Sequence, residues 1–242
     1  MGTSPQKGLW LRLRRKKGRG KRGPVRRLLR LAVLLAVALY VLCGLMLAGL
    51  RWINPPVTMV QVQRRVESLF SERPYEKRQA FVPLERIPAD LQHAVVAAED
   101  GRFYQHSGID WQELQKAFDE RERRGSLRGA STISQQLVKN LFFTTHRSPL
   151  RKACEVAIVP LAELLLPKRR ILELYLNVIE WGPGVYGVEA AARHHYGISA
   201  ANLSREQAAR LAACIPSPLR WRPQNMDTYS SDILARMERM GW

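Results

Sequence analysis

The sequence predicts an all-α protein carried on one N-terminal transmembrane helix, and three observations predict it. Residues 31–50, LAVLLAVALYVLCGLMLAGL, are twenty consecutive uncharged residues between Arg30 and Arg51. Downstream, helix-start signals recur ahead of apolar residues at helical spacing. No sustained two-residue alternation is found, and no Asn-Gly or Asp-Gly hairpin joins two such runs. A length of 242 residues allows one domain or two small ones, and 46% apolar with 25% charged residues excludes a wholly disordered chain.

At helical rise the uncharged run spans about 30 Å, the thickness of a bilayer's hydrocarbon core. A cleaved signal peptide is the competing reading, but its apolar region runs about 7–15 residues and ends in a small-residue cleavage site. Residues 1–30 hold twelve Lys or Arg and no acid, whereas the remainder holds 27 bases against 21 acids, out of a net charge of +18. The positive-inside rule then predicts three parts: a basic cytoplasmic tail over 1–30, a span over 31–50, and an extracytoplasmic domain over 51–242. The basic tail lacks interleaved aromatics and abuts the span, which points to anionic lipid and away from nucleic acid. Three cysteines allow at most one bridge beyond the span, Cys154 to Cys214, with free thiols equally compatible.

Asn54-Pro55-Pro56 ends the span, because proline lacks an N–H and disfavours helix in the residue before it. Met59, Val62, Val66 and Leu69 follow at helical spacing. Pro88 is expected in the first turn of ADLQHAVVAAED. Asp110 with Glu113 reads as a capping box before DWQELQKAFDERER, Ser148-Pro149 opens a helix through Leu166, and Ser204 with Gln207 caps REQAARLAACI. Glycine-rich joints fall at 125–129 and 182–187, and the first is expected to be mobile from its two glycines and basic composition.

The chemistry-bearing residues lie on four segments. An apolar helical run delivers Glu99-Asp100 to a loop holding Phe103 and His106, and a carboxylate shielded by apolar neighbours becomes a usable general base or acid. In RGASTISQQLVKN, Ser131, Gln135 and Lys139 fall at i, i+4, i+8, and Thr132, Gln136 and Asn140 form a second row. Two such rows predict a broad hydrogen-bonding face suited to sugar hydroxyls or phosphate oxygens. Arg151 and Glu155 share a helix face. Taken alone they read as a surface ion pair, but beside Lys139 the guanidinium suits a pyrophosphate clamp. Glu173 and Asn177 share a face of an amphipathic helix that is mostly core packing. There is no Walker loop, HExxH, GxSxG or CxxC pair, and His194-His195 reads as helix surface.

EDGRFYQHSG, RGASTISQQLVKN, RKACE and KRRILELYLNVIEWGPGVYG, in this order behind one anchor, resemble glycosyltransferase family 51 over about residues 55–222. Twenty residues after Arg222 hold no transpeptidase module, so the monofunctional form is expected rather than that of the bifunctional penicillin-binding proteins. The resemblance implies a lysozyme-like fold with a head lobe and a membrane-hugging jaw. It also implies polymerisation of lipid II into β-1,4-linked peptidoglycan strands, with inversion and loss of undecaprenyl pyrophosphate. On it, Glu99 is the general base and Glu155 the second carboxylate, aiding departure of the pyrophosphate directly or through a divalent cation (Mg or Mn) bound to it, with no tightly held cofactor. Lys139 and Arg151 hold the pyrophosphate. Asp100, Phe103 and His106 shape the first motif, Ser131, Thr132, Gln135, Gln136 and Asn140 line the cleft, and Lys168, Glu173 and Asn177 belong to the fourth motif. The partners implied are lipid II, the nascent strand, membrane lipid, and division or elongation proteins. Many relatives have Lys after the glycine of the HHYG segment, where this chain has Ile198. A lytic transglycosylase of similar fold and a catalytically inactive wall scaffold are the rival readings; the first has no need of Lys139, Arg151 and Glu155 as a pyrophosphate site, and retention of every catalytic side chain argues against the second.

Overall fold

The computed structural model describes residues 23–71, 75–124, 129 and 131–242, with the side chains of 121–124 excepted. The first 22 residues of the basic tail and all but Gly129 of the 125–129 joint lie outside the described residues. Helix α1, Pro24–Gly49, is long and apolar enough to cross a membrane, with mean hydropathy 2.7 over its best window. It begins seven residues ahead of the uncharged run because Pro24 opens it and Arg26, Arg27 and Arg30 continue it.

Chain contacts divide the molecule between Leu39 and Tyr40, so the last turns of α1 belong to the same compact unit as everything after them. There Leu47 is fully buried, and Arg170 donates from Nε to the Leu50 carbonyl and from Nη2 to Ile53 O and Asn54 Oδ1. The guanidinium thus satisfies carbonyls that the helix end and the following turn leave open. Helix α2, Met59–Ser68, starts at a capping box of Thr58 and Gln61.

Two groups of helices form the unit. One packs α3 (Ala89–Glu99) against α9 (Arg205–Cys214) and α10 (Asp227–Arg239). The other packs α5 (Ile133–Phe142) against α6 (Pro149–Leu165), α7 (Lys168–Val178) and α2. Between them in sequence come α4 (Trp111–Arg124) and, after α7, α8 (Val188–Tyr196). The expected caps hold for α9, where Ser204 and Gln207 bond reciprocally, and in half for α4, where Asp110 Oδ1 accepts from Glu113 N–H. Pro88 precedes α3 as its N-cap instead of entering its first turn. All three cysteines are free, Cys154 being exposed on α6 and Cys214 buried on α9, so no Cys154–Cys214 bridge forms.

Among the described residues, strand is limited to a small sheet of order β1-β3-β2, built from Arg78–Gln79, Val185–Tyr186 and Glu180–Gly182. β1 runs parallel to β3, pairing Arg78 with Val185, and β2 runs antiparallel to it, pairing Glu180 with Tyr186. The chain then turns into α8 at Gly187, φ +78°, where a Cβ would stand 2.7 Å from the Asn177 carbonyl oxygen. Only glycine takes that backbone at that approach without strain. This turn brings the hairpin back over the end of α7 and sets Glu180 into the cleft.

Candidate active site

Helix α3 buries Leu91, Ala94, Val95, Val96 and Ala97 and stops at Glu99, so its apolar face drives a carboxylate to the cleft wall. Asp100 leaves the helical conformation and turns its side chain back. Its Oδ2 accepts from Ile133 N–H (3.0 Å), an open donor in the first turn of α5, and its Oδ1 meets His106 Nε2 at 2.9 Å. His106 Nδ1 accepts from Gly108 N–H (3.1 Å), so the imidazole proton resides on Nε2 and is donated to Asp100. Thr132 is the N-cap of α5, accepting from Gln135 N–H and donating to the Gly108 carbonyl. Asp100, His106 and Thr132 therefore bind the first two motif segments to one another.

Glu99 Oε2 accepts from Gln136 Nε2 at 2.6 Å. Burial pushes the Glu99 carboxyl above its ordinary range, and Asp100 adds to this, against the opposing pull of Gln136 and Lys139. Glu155 is 2% exposed and held at both oxygens: Arg151 Nη1 donates to Oε2 at 2.6 Å and Lys152 Nζ to Oε1 at 2.5 Å. Lys152 Nζ also donates to Ser131 Oγ (3.2 Å) and Gln135 Oε1 (3.1 Å). Lys139 lies in the field of both carboxylates, yet burial and the nearby Arg151 and Lys152 lower its pKa.

Two cavities meet at Glu99. One, of about 520 Å³, is lined by Lys139, Arg147, Arg151, Lys152, Glu155 and Arg220, with Arg64 and Glu180 paired on its wall at 3.0 Å. Among the described residues, Lys139, Arg147 and Arg220 make no ion pair. The other, of about 490 Å³, runs along Asp100, Arg102, Thr132 and the α10 residues Arg236 and Arg239. Glu99, Ser131, Gln136 and Pro216 line both.

The structure thus gathers Glu99, Asp100, Ser131, Thr132, Gln136, Lys139, Asn140, Arg151 and Glu155 on one cleft. Four other residues named from the sequence, Phe103, His106, Gln135 and Asn177, line neither cavity. Phe103 is fully buried under the Lys168 ammonium, 4.4 Å from its ring centre. His106 lines neither cavity, Gln135 is buried against Lys152, and Asn177 is fully buried, bridging Val82 N–H and C=O. These four support the cleft from behind. The polar rows over 131–140 also need revising, because α5 starts only at Ile133 and Ser131 precedes it. Lys152, Arg147 and Arg220 are site residues that the sequence did not single out, although the i, i+3 spacing of Lys152 to Glu155 was readable. Arg64 with Glu180, 116 residues apart, carried no such signal.

Asp100, His106 and Asp110 bring ligand-type atoms within 4.8 Å of one another. Every one of these carboxylate oxygens already faces a donor, His106 and Ile133 at Asp100 and Glu113 and Arg102 at Asp110, so the cluster is explained by capping.

The model of the family described as Transglycosylase matches residues 65–240. The chain belongs to this family. Among similar proteins, the biosynthetic peptidoglycan transglycosylase of Ectopseudomonas mendocina (strain ymp) is 46% identical over 208 residues, which cover 86% of this chain and 84% of that one. The Pseudomonas fluorescens (strain SBW25) protein of the same name is 50% identical over 179 residues, 74% and 75% of the two chains. That of Pseudomonas aeruginosa PAO1 is 46% identical over 197 residues, 81% and 85%. The family match takes in α3 through α10 and hence all of the lining of both cavities except Val60 and Arg64.

Proposed function

We propose that this chain polymerises peptidoglycan glycan strands from lipid II at the outer face of the cytoplasmic membrane, its N-terminus inside. The observation that carries this reading is the position of Glu99 at the junction of two cavities, one of which is walled by cations. The donor's pyrophosphate sits among Lys139, Arg147 and Arg151, and the acceptor's 4-hydroxyl approaches Glu99 from the cavity beside α10. Glu99 takes the hydroxyl proton as oxygen attacks the anomeric carbon. The glycosyl–phosphate bond breaks on the opposite side, and its electron pair stays on the departing pyrophosphate, where the cations lower its energy. Attack from one cavity with departure into the other gives inversion, so no covalent glycosyl-enzyme is needed.

A resident divalent cation does not fit Glu155, whose two oxygens are taken by Arg151 and Lys152. Glu155 instead fixes the geometry of two of the cations that receive the leaving group.

Labelled lipid II, detergent-purified protein and the Glu99→Gln and Glu155→Gln variants test the reading. Polymer from the wild type with almost none from Glu99→Gln is expected. Soluble muropeptides released from cell walls would point to a lytic enzyme, and a folded wild type that binds lipid II without polymerising it would point to a scaffold.

A further inference from the structure

Tyr175 belongs to the apolar stripe of α7 and is fully shielded from solvent. Its phenol nevertheless reaches the site. Among the described residues its one hydrogen bond is the donation to Gln136 Oε1 at 2.9 Å. The other end of that amide, Nε2, donates to Glu99 Oε2 at 2.6 Å and lies 3.5 Å from the Ser131 carbonyl oxygen. An amide has one accepting and one donating end, and a buried phenol with a single partner gives up its solvation unless it donates. Turned over, the Gln136 amide would donate an N–H to the phenol oxygen, leave the phenol hydrogen with no acceptor, and set its own oxygen against a carboxylate.

We infer that Tyr175 is a positioning residue for Glu99, acting through Gln136: the phenol claims the amide oxygen, so the amide N–H always faces the carboxylate that takes the acceptor's proton. This inference rests on the transferase reading and deepens it. Once Glu99 is protonated, its new O–H would be best satisfied by an amide oxygen, and a freely turning Gln136 would supply one and store the proton. The locked amide offers only N–H, which favours the carboxylate and the next turnover.

The other charged groups around Glu99 act through space. Lys139 faces it from α5, and Asp100 adjoins it with both oxygens engaged by His106 and Ile133. Arg236 of α10 reaches the Ala97 carbonyl at 3.5 Å. Arg102, Asp110, Glu113 and Arg239 lie farther along the same cavity.

Tyr175→Phe removes the hydroxyl and keeps the ring. In full-length protein in detergent, the ¹³C carboxyl signal of Glu99, assigned by its loss in Glu99→Gln, is followed against pH beside the pH profile of lipid II polymerisation. The expected result is a rise in the Glu99 pKa of about one pH unit, the acid limb of kcat/KM moving with it and activity returning at higher pH. Gln136→Met should give a similar shift, and adding Tyr175→Phe to it should change nothing further. An unmoved Glu99 pKa, an activity loss uniform across pH, additive effects of the two substitutions, or a Tyr175→Phe chain that no longer unfolds cooperatively would each overturn the inference. The carboxyl titration is independent of turnover. A wild type that makes no polymer would therefore defeat the transferase reading alone.

Discussion

Replacing Asp100 by alanine separates two roles for one carboxylate, since Asp100 both borders the cleft and ties α5 to the first motif. Its side chain is 3% exposed, so its hydrogen bonds escape solvent screening. Alanine strands two buried donors, Ile133 N–H and His106 Nε2–H. His106 cannot escape by moving its proton, because Nδ1 is occupied as the acceptor for Gly108 N–H. Hydrogen bonds to a charged partner contribute about 1.5–3 kcal/mol each, which sets the loss at roughly 3–6 kcal/mol. The favourable placing of an anion at the N-terminus of α5 is part of the same interaction and is not added again. For a chain of this size the change lowers Tm by on the order of 10 °C. The assay is thermal unfolding of the detergent-solubilised protein by intrinsic fluorescence, with Asp100→Asn expected in between because its amide oxygen still accepts from one donor. Asp100→Ala melting within about 2 °C of wild type while losing activity would refute the argument and make Asp100 a substrate contact only.

Two further outcomes follow from the same geometry. Burial raises the Glu99 pKa above its ordinary 4.5, so between that value and the folded pKa the unfolded chain binds fewer protons than the native one and stability falls as pH rises. Glu99→Gln should thus melt higher than wild type at pH 8, with the gap closing as pH falls towards 4.5; a gap constant with pH would contradict this. Lys152→Met leaves Glu155 with Arg151 alone and strips Ser131 and Gln135 of a donor, and kcat/KM for lipid II is expected to fall about 10- to 100-fold. Unchanged kinetics would show that Arg151 suffices.

The sequence revealed what local pattern controls. An apolar run ending in Glu99, a proline-opened helix carrying Arg151 and Glu155, and the Ser204 capping box all lie within one or two helical turns, where spacing fixes which side chains share a face. Errors arose where a turn boundary or a distant partner decides. Extending helical spacing back to Ser131 ignored that Thr132, a good N-cap, starts the helix after itself. The strands Arg78–Gln79, Glu180–Gly182 and Val185–Tyr186 are too short to display alternation, and their pairing is set by Gly187 and by residues a hundred positions apart. Asn177 and Phe103 sit in motifs because they shape the cleft, and a motif does not separate a wall from the framing behind it. Tyr175 is least legible of all: in a stripe with Ile171, Leu172 and Leu176 its ring reads as core, and only the 39-residue closure to Gln136 gives its hydroxyl a task.

The cations of the larger cavity come from separate stretches of chain: Lys139 from α5, Arg147 from the segment before α6, and Arg220 from the segment after α9. Among the described lining residues, folding sets Arg64, Lys139, Arg147, Arg151, Lys152 and Arg220 against Glu99, Glu155 and Glu180, and burial lowers the Lys139 pKa because an ammonium withdrawn from water is costly to keep charged. Such a site is held together at the expense of the empty protein. An anion that seats in it relieves the repulsion and binds only the folded chain, so by mass action it raises the free energy of unfolding by RT ln(1 + [L]/Kd). Occupancy by substrate is in this sense a clamp on the tertiary structure, and heat tolerance becomes a gauge of how full the cleft is.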